Sequence, residues 1–508
     1  MLRREPLPTR LNIDHRFLGA RLEEGAGDRE AVRTDAGSWT YGDVDDLARG
    51  YGVALRALGV APEQRVLIAL PDGPEYVGAL FGILRIGAVG VMVNPDLAPE
   101  SLAGIVDRSR APVALVAADH VPAFAEALDR ATWQPDLLVV GGEAAGRRAL
   151  ADVGMSGPCP RFDTHRDDPA LWLFSGGTTG VPKIVPQTHR SFANTTDLYT
   201  AAVGYRTDDV TMAVPKLFFG YATGANLFFP FSRGATSVLF AARPTPDVLF
   251  DQIARHRPTI LVHVPSAINQ MLNHSAAATA DLAGLRFATS AGEALPESLH
   301  RAWLDRFGIE ILDGLGTAEM WHIFVTNMPG AARPGTLGTV VPGFEIAVRD
   351  DEGGDLPAGE AGRLWVRGES RAPGYWQDAD ATAATFRGEW VVTGDLVSCD
   401  RDGYVTHHGR ADDAVKIKGK WFSPQELEGC LLEHPAVAEV AAIPIPDESG
   451  LLLPVAFVVT AGDVTDEELR RWALDRLEAY KHPRRIVFLD ELPQTHLGKV
   501  DRGMLRRM

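Results

Sequence analysis

A glycine-rich loop between two apolar stretches constrains this chain more than any other segment. Residues 174–183 read FSGGTTGVPK and contain three glycines, three hydroxyl side chains and one lysine. The flanking residues 170–174 and 183–186 are apolar and strand-like, which predicts a β-hairpin. Amides that can be approached closely, hydroxyl donors and a cation are the groups that bind a polyphosphate. The common strand–loop–helix spacing, Gly-x-x-x-x-Gly-Lys-Ser/Thr, is absent, because Lys183 follows Gly177 by six residues.

Length and charge limit the classes of protein that this chain can represent. It has 508 residues, 45% of them hydrophobic. A chain of this length is too long for a single hydrophobic core, which predicts two or more domains. The formal net charge of −17 argues against nucleic acid and anionic lipid as partners, because both attract basic surfaces. A binding site for an anionic nucleotide would therefore have to be locally cationic.

Cysteine usage and the apolar segments predict a cytoplasmic protein. Cys159, Cys399 and Cys430 are odd in number and widely spaced, which gives neither a disulfide framework nor a metal cluster. The N-terminal MLRREP lacks the apolar run of a signal peptide. Residues 78–93 are interrupted by Arg85 and fall short of the roughly 20 residues of a spanning helix. They predict a buried helix that runs into a buried strand, and no membrane partner.

Strand-like and helical stretches alternate along most of the chain, which predicts an α/β fold with largely parallel sheets. The predicted strands there are residues 65–70, 89–93, 112–117, 136–140, 209–214, 237–239, 259–264 and 309–312, with helices at 75–84 and 122–129. From about Gly335, frequent glycines separate short strands and predict a small β-rich unit. A final α+β unit follows, with strands at 414–417, 437–444, 453–459 and 485–488 and helices at 424–434 and 466–480.

Two small-residue segments are predicted to be turns at the ends of strands. Residues 314–319 (GLGTAE) follow the strand 309–312, and Glu319 stands where a dinucleotide fingerprint needs glycine. Such a turn either presents a carboxylate to phosphate-bound Mg²⁺ or is only structural. Residues 290–296 (SAGEALP) follow a strand at 285–289, where small side chains let a flat ring approach the backbone or simply form a turn before a helix.

Three further segments indicate a function only in combination. Asp395 follows a predicted strand at 390–392 and could accept both hydroxyls of a ribose, or be a solvated turn residue. Residues 409–419 form a charged linker, and Lys499 lies in a loop near the C-terminus, where a lone lysine is ordinarily a solvated charge. None of these is decisive alone, whereas their order and co-occurrence are specific.

In this order the segments resemble the adenylate-forming superfamily of acyl-CoA synthetases, adenylation domains and luciferases. The resemblance covers roughly Leu18 to Leu505. It implies a large N-terminal domain, residues 1–410, of two α/β subdomains plus a β-barrel-like one. A small mobile α+β C-terminal domain, residues 411–508, is implied to rotate about Asp412.

The resemblance also implies roles for individual residues, with ATP and Mg²⁺ as ligands. The implied catalytic residues are Lys499, which contacts the α-phosphate and acyl carboxylate, Glu319, which binds Mg²⁺, and Thr317. The implied nucleotide and cofactor contacts are Ser175, Gly176, Gly177, Thr178, Thr179 and Lys183 at the phosphates; Ser290, Ala291, Gly292, Glu293, Asp313, Gly314 and Leu315 at the adenine and acyl group; Asp395 and Arg410 at the ribose; and Lys418 and Gly419 on the face that serves the thiol step.

Two segments resemble benzoate–CoA ligases in particular, and this resemblance implies an aromatic acid as substrate and CoA as acceptor. They are residues 216–226 (KLFFGYATGAN) and 319–324 (EMWHIF). The implied pocket is walled by Phe219, Gly220, Tyr221, Ala222, His322 and Ile323. Aromatic walls with a small-residue floor suit a benzoate-sized ring, possible substituents being amino or hydroxy, better than a long acyl chain. The alternative is that these aromatic residues are plain core.

Other hypotheses remain open at this level. Ala318 stands where many relatives have a threonine before the Mg²⁺-binding glutamate, so Thr317 would have to supply the hydroxyl. This alanine and the segment 186–189 (PQTH) resemble free-standing aryl-acid–AMP ligases, which load an acyl carrier protein. A non-catalytic nucleotide sensor and an adenylate-forming oxygenase are further candidates. The superfamily resemblance also allows a homodimer.

Overall fold

Two large β-sheets form the framework of the long N-terminal part of the protein. A computed structural model describes residues 6–142, 146–175, 182–411, 415–417, 420–447, 451–493 and 500–508. The first strands in chain order are β1 (Glu30–Thr34), β2 (Gly37–Thr40), β3 (Arg65–Ala69), β4 (Val89–Met92), β5 (Val113–Ala117), β6 (Asp136–Val140), β7 (Arg148–Ala149), β8 (Pro169–Ser175), β9 (Lys183–Thr188), β10 (Val210–Ala213), β11 (Thr236–Val238), β12 (Ile260–His263), β13 (Phe287–Ser290), β14 (Ile311–Gly316), β15 (Ile323–Thr326) and β16 (Thr339–Val340).

The remaining strands belong to the β-rich and C-terminal units. They are β17 (Glu345–Arg349), β18 (Ala361–Arg367), β19 (Phe386–Arg387), β20 (Trp390–Cys399), β21 (Val405–Arg410), β22 (Val415–Ile417), β23 (Lys420–Phe422), β24 (Val437–Pro446), β25 (Leu452–Thr460) and β26 (Arg485–Phe488).

Helices pack on the faces of the sheets. They are α1 (Ala20–Glu23), α2 (Tyr41–Ala57), α3 (Pro74–Arg85), α4 (Pro99–Ser109), α5 (Val121–Arg130), α6 (His189–Val203), α7 (Gly220–Thr223), α8 (Phe229–Arg233), α9 (Pro246–His256), α10 (Pro265–Leu272), α11 (Glu297–Phe307), α12 (Ala379–Thr385), α13 (Pro424–Leu432), α14 (Asp466–Leu474) and α15 (Arg502–Leu505). A π-helical turn, Gly224–Phe228, joins α7 to α8. In the described ranges no helix has the length and apolarity required to cross a membrane.

The two sheets confirm the predicted α/β fold. One has the strand order β7-β6-β5-β3-β4-β8-β9, and its pairs from β7 to β8 are parallel. The other runs β16-β15-β14-β13-β12-β10-β11-β1-β2, with β1, β10, β11, β12, β13 and β14 parallel to their neighbours within that set. Central strands such as β5 (VALVA) are buried along their whole length, as expected of a parallel sheet covered on both faces.

Local signals place several helix starts where the chain needs them. The Thr40 hydroxyl accepts from the Asp43 amide and the Asp43 carboxylate accepts from the Thr40 amide, which forms a capping box at the start of α2. Thr188 caps α6 in a similar way. Because Thr188 also ends β9, this cap fixes where the predicted hairpin turns into a helix.

The β-rich and C-terminal units also confirm the prediction in outline. A five-stranded antiparallel sheet contains β17 to β21, and the C-terminal unit carries the sheet β24-β25-β26 with α13 and α14. The prediction of a helix over 466–480 is too long, since α14 ends at Leu474. The chain then turns, so that Lys481 forms an ion pair with Glu426 of α13 at 2.7 Å.

Two predicted strand ends are also wrong, and both lie at candidate site residues. β14 continues past Leu312 to Gly316, because it pairs antiparallel with β15 and forms a hairpin. β20 continues past Val392 to Cys399, because its second half pairs with both β18 and β21. Asp313 and Asp395 therefore lie within strands.

Candidate active site

A cavity of about 870 Å³ lies between the two large sheets. Residues that follow β4 of one sheet and β10, β12 and β13 of the other line it, namely Val93, Asn94, Val214, Lys216, Val264, Ser266, Ala291 and Gly292. These positions are the carboxyl ends of parallel strands, where open α/β sheets bind their ligands. The remaining walls come from the β8–β9 hairpin, the segment after β14, the helix start at Gly220 and the β-rich unit.

The β8–β9 hairpin delivers one hydroxyl and one cation to this cavity. Its strands pair antiparallel from Pro169–Thr188 to Ser175–Lys183, and both Ser175 and Lys183 line the cavity. Gly176, Gly177, Thr178 and Thr179 lie outside the described residues. Buried Gln187 of β9 donates to the Ala318 main-chain oxygen at 2.6 Å, so the hairpin is fastened to the segment that carries Glu319.

Glu319 is held in the cavity wall by contacts on both its main chain and its side chain. Its carbonyl oxygen accepts from the Ala372 amide at 2.8 Å, and its Oε1 accepts from the Tyr375 hydroxyl at 2.7 Å. Burial first, and then the Glu319 charge, raise the pKa of Tyr375 far above its usual value, so the phenol remains a donor. The Lys183 ammonium lies 4.9 Å from the centre of the Tyr375 ring, within cation–π range.

These residues fit a magnesium ion that is shared with phosphate. The described residues contain no group of three or more His, Cys, Asp or Glu side chains that could hold a metal by themselves. Glu319 is a single cavity-lining carboxylate, and the neighbouring Thr317 hydroxyl is buried with no hydrogen-bond partner among the described residues. Mg²⁺ commonly binds through one or two carboxylates plus substrate phosphates and water, and this donor set matches that pattern.

A strained turn at Trp321 connects Glu319 to the opposite side of the cavity. Trp321 has φ 66° and ψ −52°, and the His322 amide donates to the Met320 carbonyl oxygen at 2.9 Å across it. This three-residue γ-turn is rare and strained for a bulky side chain. The Trp321 ring contacts Phe192 and Phe229 edge-on, at centroid distances of 4.5 and 5.7 Å. That packing holds the turn in place between Glu319 and His322.

The far end of the cavity is aromatic. Of the residues predicted to enclose the ring, Phe219, Gly220, Tyr221, His322 and Ile323 line the cavity. Ala222 is fully buried and is not one of the lining residues. The Tyr221 hydroxyl pairs with the Thr289 hydroxyl at 2.7 Å, which fixes the phenol ring against β13.

His322 depends on the absence of a side chain at Gly224. A Cβ built on Gly224 would lie 2.4 Å from the imidazole Cδ2, which is shorter than real contacts allow. The His322 Nε2 is 3.0 Å from the Tyr221 carbonyl oxygen. Burial lowers the pKa of His322 to about 4, so the ring is neutral at physiological pH.

Asp395 lies on β20 and contacts two side chains of β21, the cationic Arg410 and the polar His407. Its Oδ1 is 3.3 Å from both the Arg410 guanidinium and His407 Nε2. Burial opposes ionisation, but the His407 hydrogen bond and the Arg410 charge prevail and hold the pKa of Asp395 at about 2. Its Oδ2 is buried and has no partner within the described part of the chain. Arg410, Thr393 and Gly394 line the cavity, whereas Asp395 lies immediately behind them.

The structure separates the remaining predicted residues into three groups. Ala291, Gly292 and Glu293 line the cavity. Ser290, Asp313, Gly314 and Leu315 lie in β13 and β14 behind that wall, with Ser290 and Asp313 paired side by side, and burial raises the pKa of Asp313 well above its usual value. Asp412, Lys418, Gly419 and Lys499 lie outside the described residues.

Charge around the cavity differs from that of the whole protein. Among the described lining residues, five are basic (Lys183, Lys216, Arg363, Arg387 and Arg410) and four are acidic (Glu293, Glu319, Asp350 and Asp351), whereas the chain carries a net charge of −17. Lys216 is largely buried beneath Phe240, and this desolvation lowers its pKa to about 8 despite nearby Asp72.

Sequence reasoning missed Tyr375, His407 and Trp321. Tyr375 lies 56 positions after Glu319, so no local pattern could pair them. Trp321 has a positive φ, but the sequence has no glycine at this position that would indicate it. His407 had a weak signal, because it lies on the strand that also supplies Arg410.

Two sequence signatures of known proteins match this chain. The AMP-binding enzyme signature matches residues 20–376, and that of the AMP-binding enzyme C-terminal domain matches residues 426–499. The chain belongs to the AMP-binding enzyme family. This membership confirms the superfamily that the motif order indicates.

Two relatives of this AMP-binding enzyme match almost end to end, and a third matches over about two thirds of its own length. The benzoate–CoA ligase of Thauera aromatica is 38% identical over 98% of this chain and 96% of its own length. The crystal structure of the anthranilate CoA ligase AuaEII in complex with anthranoyl-AMP matches with a TM-score of 0.92 and 35% identity, over 99% of this chain and 98% of that one. A p-hydroxybenzoic acid–AMP ligase of Mycobacterium tuberculosis is 33% identical over 92% of this chain and 65% of its own length.

Proposed function

We propose that this AMP-binding enzyme activates an aromatic carboxylic acid with ATP and transfers the acyl group to the thiol of CoA. The observation that carries this proposal is that one cavity has two chemically different ends. Lys183 and Glu319 lie on either side of Tyr375 in one part of its wall, and Tyr221 and His322 contact each other in another part, which Phe219 also lines. The γ-turn at Trp321 joins them, so a flat acid would have its carboxylate directed towards the phosphates.

The first step forms a mixed anhydride. A carboxylate oxygen attacks the α-phosphorus of ATP, a new oxygen–phosphorus bond forms, and the bond to pyrophosphate breaks. Both reactants are anions, so their approach is repulsive without nearby positive charge. No general base is needed, because a benzoate-type acid is already ionised near neutral pH.

Charge neutralisation in this proposal comes from the phosphate end of the cavity. Lys183, the Thr317 hydroxyl and the hairpin residues Ser175, Gly176, Gly177, Thr178 and Thr179 hold the β- and γ-phosphates. Mg²⁺, held at Glu319, would supply positive charge to the phosphate oxygens. Asp395 and Arg410 hold the ribose, and Lys499 contacts the α-phosphate and the acid. Removing one such contact typically costs about 3 kcal/mol of transition-state stabilisation.

Positioning of the adenine and the ring follows from the flat walls of the cavity. Ala291, Gly292 and Glu293 leave room beside β13 for the adenine, with Ser290, Asp313, Gly314 and Leu315 as the layer beneath. Phe219, Gly220, Tyr221, His322 and Ile323 enclose the ring, with Ala222 as backing. Fixing both reactants in this way replaces a bimolecular encounter by a step within one complex.

The second step exchanges AMP for a thiol. The sulfur of CoA attacks the acyl carbon, a carbon–sulfur bond forms, the bond from that carbon to the phosphate oxygen of AMP breaks, and AMP and the thiol proton are released. In our proposal the C-terminal domain turns about Asp412 between the steps, which withdraws Lys499 and brings Lys418 and Gly419 to the cavity. The end-to-end match to a benzoate–CoA ligase supports CoA as the acceptor over a carrier protein, because the AMP ligase relative is less similar.

The proposal is tested by pyrophosphate release with a panel of aromatic and aliphatic acids, with and without CoA. CoA-dependent turnover of a benzoate-type acid is the expected result. Release that requires a carrier protein would instead favour the AMP-ligase function, and no release with any acid would exclude both. The Lys499→Ala variant should lose adenylation but convert supplied aryl-AMP and CoA to the thioester. Equal loss of both steps would contradict the assignment of Lys499 to the first one.

A further inference from the structure

The C-terminal unit contacts the long N-terminal part of the protein beside the cavity. The Asn269 side-chain amide of α10 donates to the Ala438 carbonyl oxygen of β24 at 3.2 Å, and the adjacent Gln270 side-chain amide donates to Glu439 Oε1 at 3.4 Å. Ser266, near the start of the same helix, lines the cavity. α10 therefore connects the cavity wall to the sheet of the C-terminal unit.

Asn269 is held in a fixed orientation for this contact. The residue is 6% exposed, and its side-chain oxygen accepts from the Asn273 side-chain amide at 3.0 Å. This hydrogen bond leaves the Asn269 amide group directed to Ala438. A buried polar side chain whose two ends are both paired has little freedom to rotate, so α10 presents a preorganised donor to β24.

Glu439 contributes charge to the same contact. It is half-buried, and burial raises the pKa of its carboxyl group, whereas the nearby Arg243 charge and the Gln270 hydrogen bond oppose that rise. Arg243 directly precedes Pro244, which lines the cavity. A partly desolvated carboxylate that meets a cation and a hydrogen-bond donor of the N-terminal part favours the docked arrangement.

Glu439 also identifies which face of the sheet β24-β25-β26 is docked. Side chains alternate along a strand, so Glu439 shares its face with Ala441. Ala441 packs there with Leu492, and Val500 packs against the same cluster. Leu492 and Val500 lie in sequence on either side of Lys499. The face that contacts α10 therefore carries described neighbours of the lysine that we assign to the first step.

The opposite face carries the neighbours of the segment that we assign to the thiol step. Val440 packs there with Ile417 and Phe422. Lys418 and Gly419 lie between Ile417 and Phe422 in the sequence. A rotation that brings this second face to the cavity would break the contacts between β24 and α10.

We propose that Gln270 and Arg243 are positioning residues for the first step, because through Glu439 they hold the C-terminal unit in the orientation that forms the aryl-AMP. This inference rests on the proposed function and goes beyond it, since it names the contact that favours one orientation. When two orientations exchange rapidly, the ratio of the first-step rate to the second-step rate follows their populations. Weakening the contact therefore lowers this ratio by the same factor as the equilibrium constant between the orientations.

The test measures the two steps separately in each variant. The first turnover of pyrophosphate release without CoA reports the first step, and thioester formation from supplied aryl-AMP and CoA reports the second. Benzoate, 2-aminobenzoate and 4-hydroxybenzoate serve as acids, each with its own aryl-AMP. Because the ratio compares two rates of one folded variant, a general loss of activity cancels.

Glu439→Ala removes the partner of both Gln270 and Arg243. The ratio should fall about three- to tenfold, the range expected for one hydrogen bond. The matched control Asp463→Ala removes the same charge from an exposed loop of the same unit and should keep the native ratio.

A charge reversal separates this contact from a general effect on the fold. Arg243→Glu places a second carboxylate near Glu439 and should lower the ratio. The double variant Arg243→Glu/Glu439→Arg restores opposite charges and should recover most of the native ratio. Equal ratios in Glu439→Ala and Asp463→Ala, or no recovery in the double variant, would overturn the inference and leave the proposed function intact. If the native protein releases no pyrophosphate with any of these acids, the proposed function fails and the inference fails with it.

Discussion

The Tyr375 hydroxyl donates a hydrogen bond of 2.7 Å to the Glu319 carboxylate from a residue 56 positions later in the chain. We expect Tyr375→Phe to lower kcat/KM for ATP by roughly tenfold, because a hydrogen bond to a charged group contributes about 1.5–3 kcal/mol. The apparent Mg²⁺ requirement should rise with it, because Glu319 is less firmly oriented. Pyrophosphate release over a Mg²⁺ titration measures both quantities.

A matched control is Tyr404→Phe. The Tyr404 hydroxyl donates to the Ala331 carbonyl oxygen at 3.3 Å, and Tyr404 does not line the cavity. This variant should keep the ATP and Mg²⁺ dependence of the native protein. If Tyr375→Phe and Tyr404→Phe behaved alike, the hydrogen bond to Glu319 would have no role in nucleotide use.

Adjacent histidines on β21 provide a second paired experiment. His407 Nε2 contacts Asp395 at 3.3 Å, whereas His408 Nε2 contacts the Ser398 hydroxyl at 2.7 Å. We expect His407→Gln to weaken ATP binding several-fold, because Asp395 loses a partner that stabilises its charge. His408→Gln should bind ATP normally. Titration calorimetry with ATP gives both affinities, and equal affinities for the two variants would argue against a ribose role for Asp395.

Gly224 provides a steric test of the aromatic pocket. In Gly224→Ala the new methyl group would lie 2.4 Å from His322 Cδ2, so the imidazole must move. We expect kcat/KM for the aromatic acid to fall by at least about tenfold, while the affinity for ATP changes little, because displacement of about 1 Å at a reacting complex is costly.

The control for this change is Gly104→Ala. Gly104 is an exposed residue within α4, and a Cβ there meets no atom within 4 Å. Alanine should therefore stabilise the protein by about 0.5–1 kcal/mol and leave the kinetics unaltered. Normal acid kinetics in Gly224→Ala would mean that the position of His322 does not matter for the ring.

His189 predicts a pH dependence of stability. Burial lowers its pKa from 6.5 to about 3 in the folded protein. Between these values the unfolded chain binds the proton and the folded protein does not, so the stability that neutral His189 contributes is present above pH 6.5 and is lost as the pH falls towards 3. The loss amounts to about 1.4 kcal/mol per pH unit.

Urea unfolding between pH 7 and pH 4 measures this slope. The free energy of unfolding of His189→Asn should fall less steeply with acidification, by about one proton. Identical slopes for the native protein and His189→Asn would show that His189 does not contribute.

Much of the fold follows from local patterns that the sequence itself contains. The strand-like runs around the glycine-rich loop pair as predicted, since Ser175 ends the first strand of the hairpin and Lys183 begins the second. Buried strands such as β3 and β5 read as continuous apolar runs because both faces of a parallel sheet are covered. The motif order likewise gave the superfamily, because each segment contains its own backbone and side-chain chemistry.

Strand ends and partners across the cavity were decided by tertiary structure. β14 and β20 extend beyond their predicted ends, because pairing with β15 and β21 gives hydrogen-bond partners to backbone groups that the local sequence does not pair. The hydrogen bond of Tyr375 to Glu319 and that of His407 to Asp395 join residues brought together only by sheet packing. The sequence by itself determined which chemical groups are present. Their orientation, including that of the His322 imidazole, depends on close packing around Gly224 and Trp321, which no local pattern encodes.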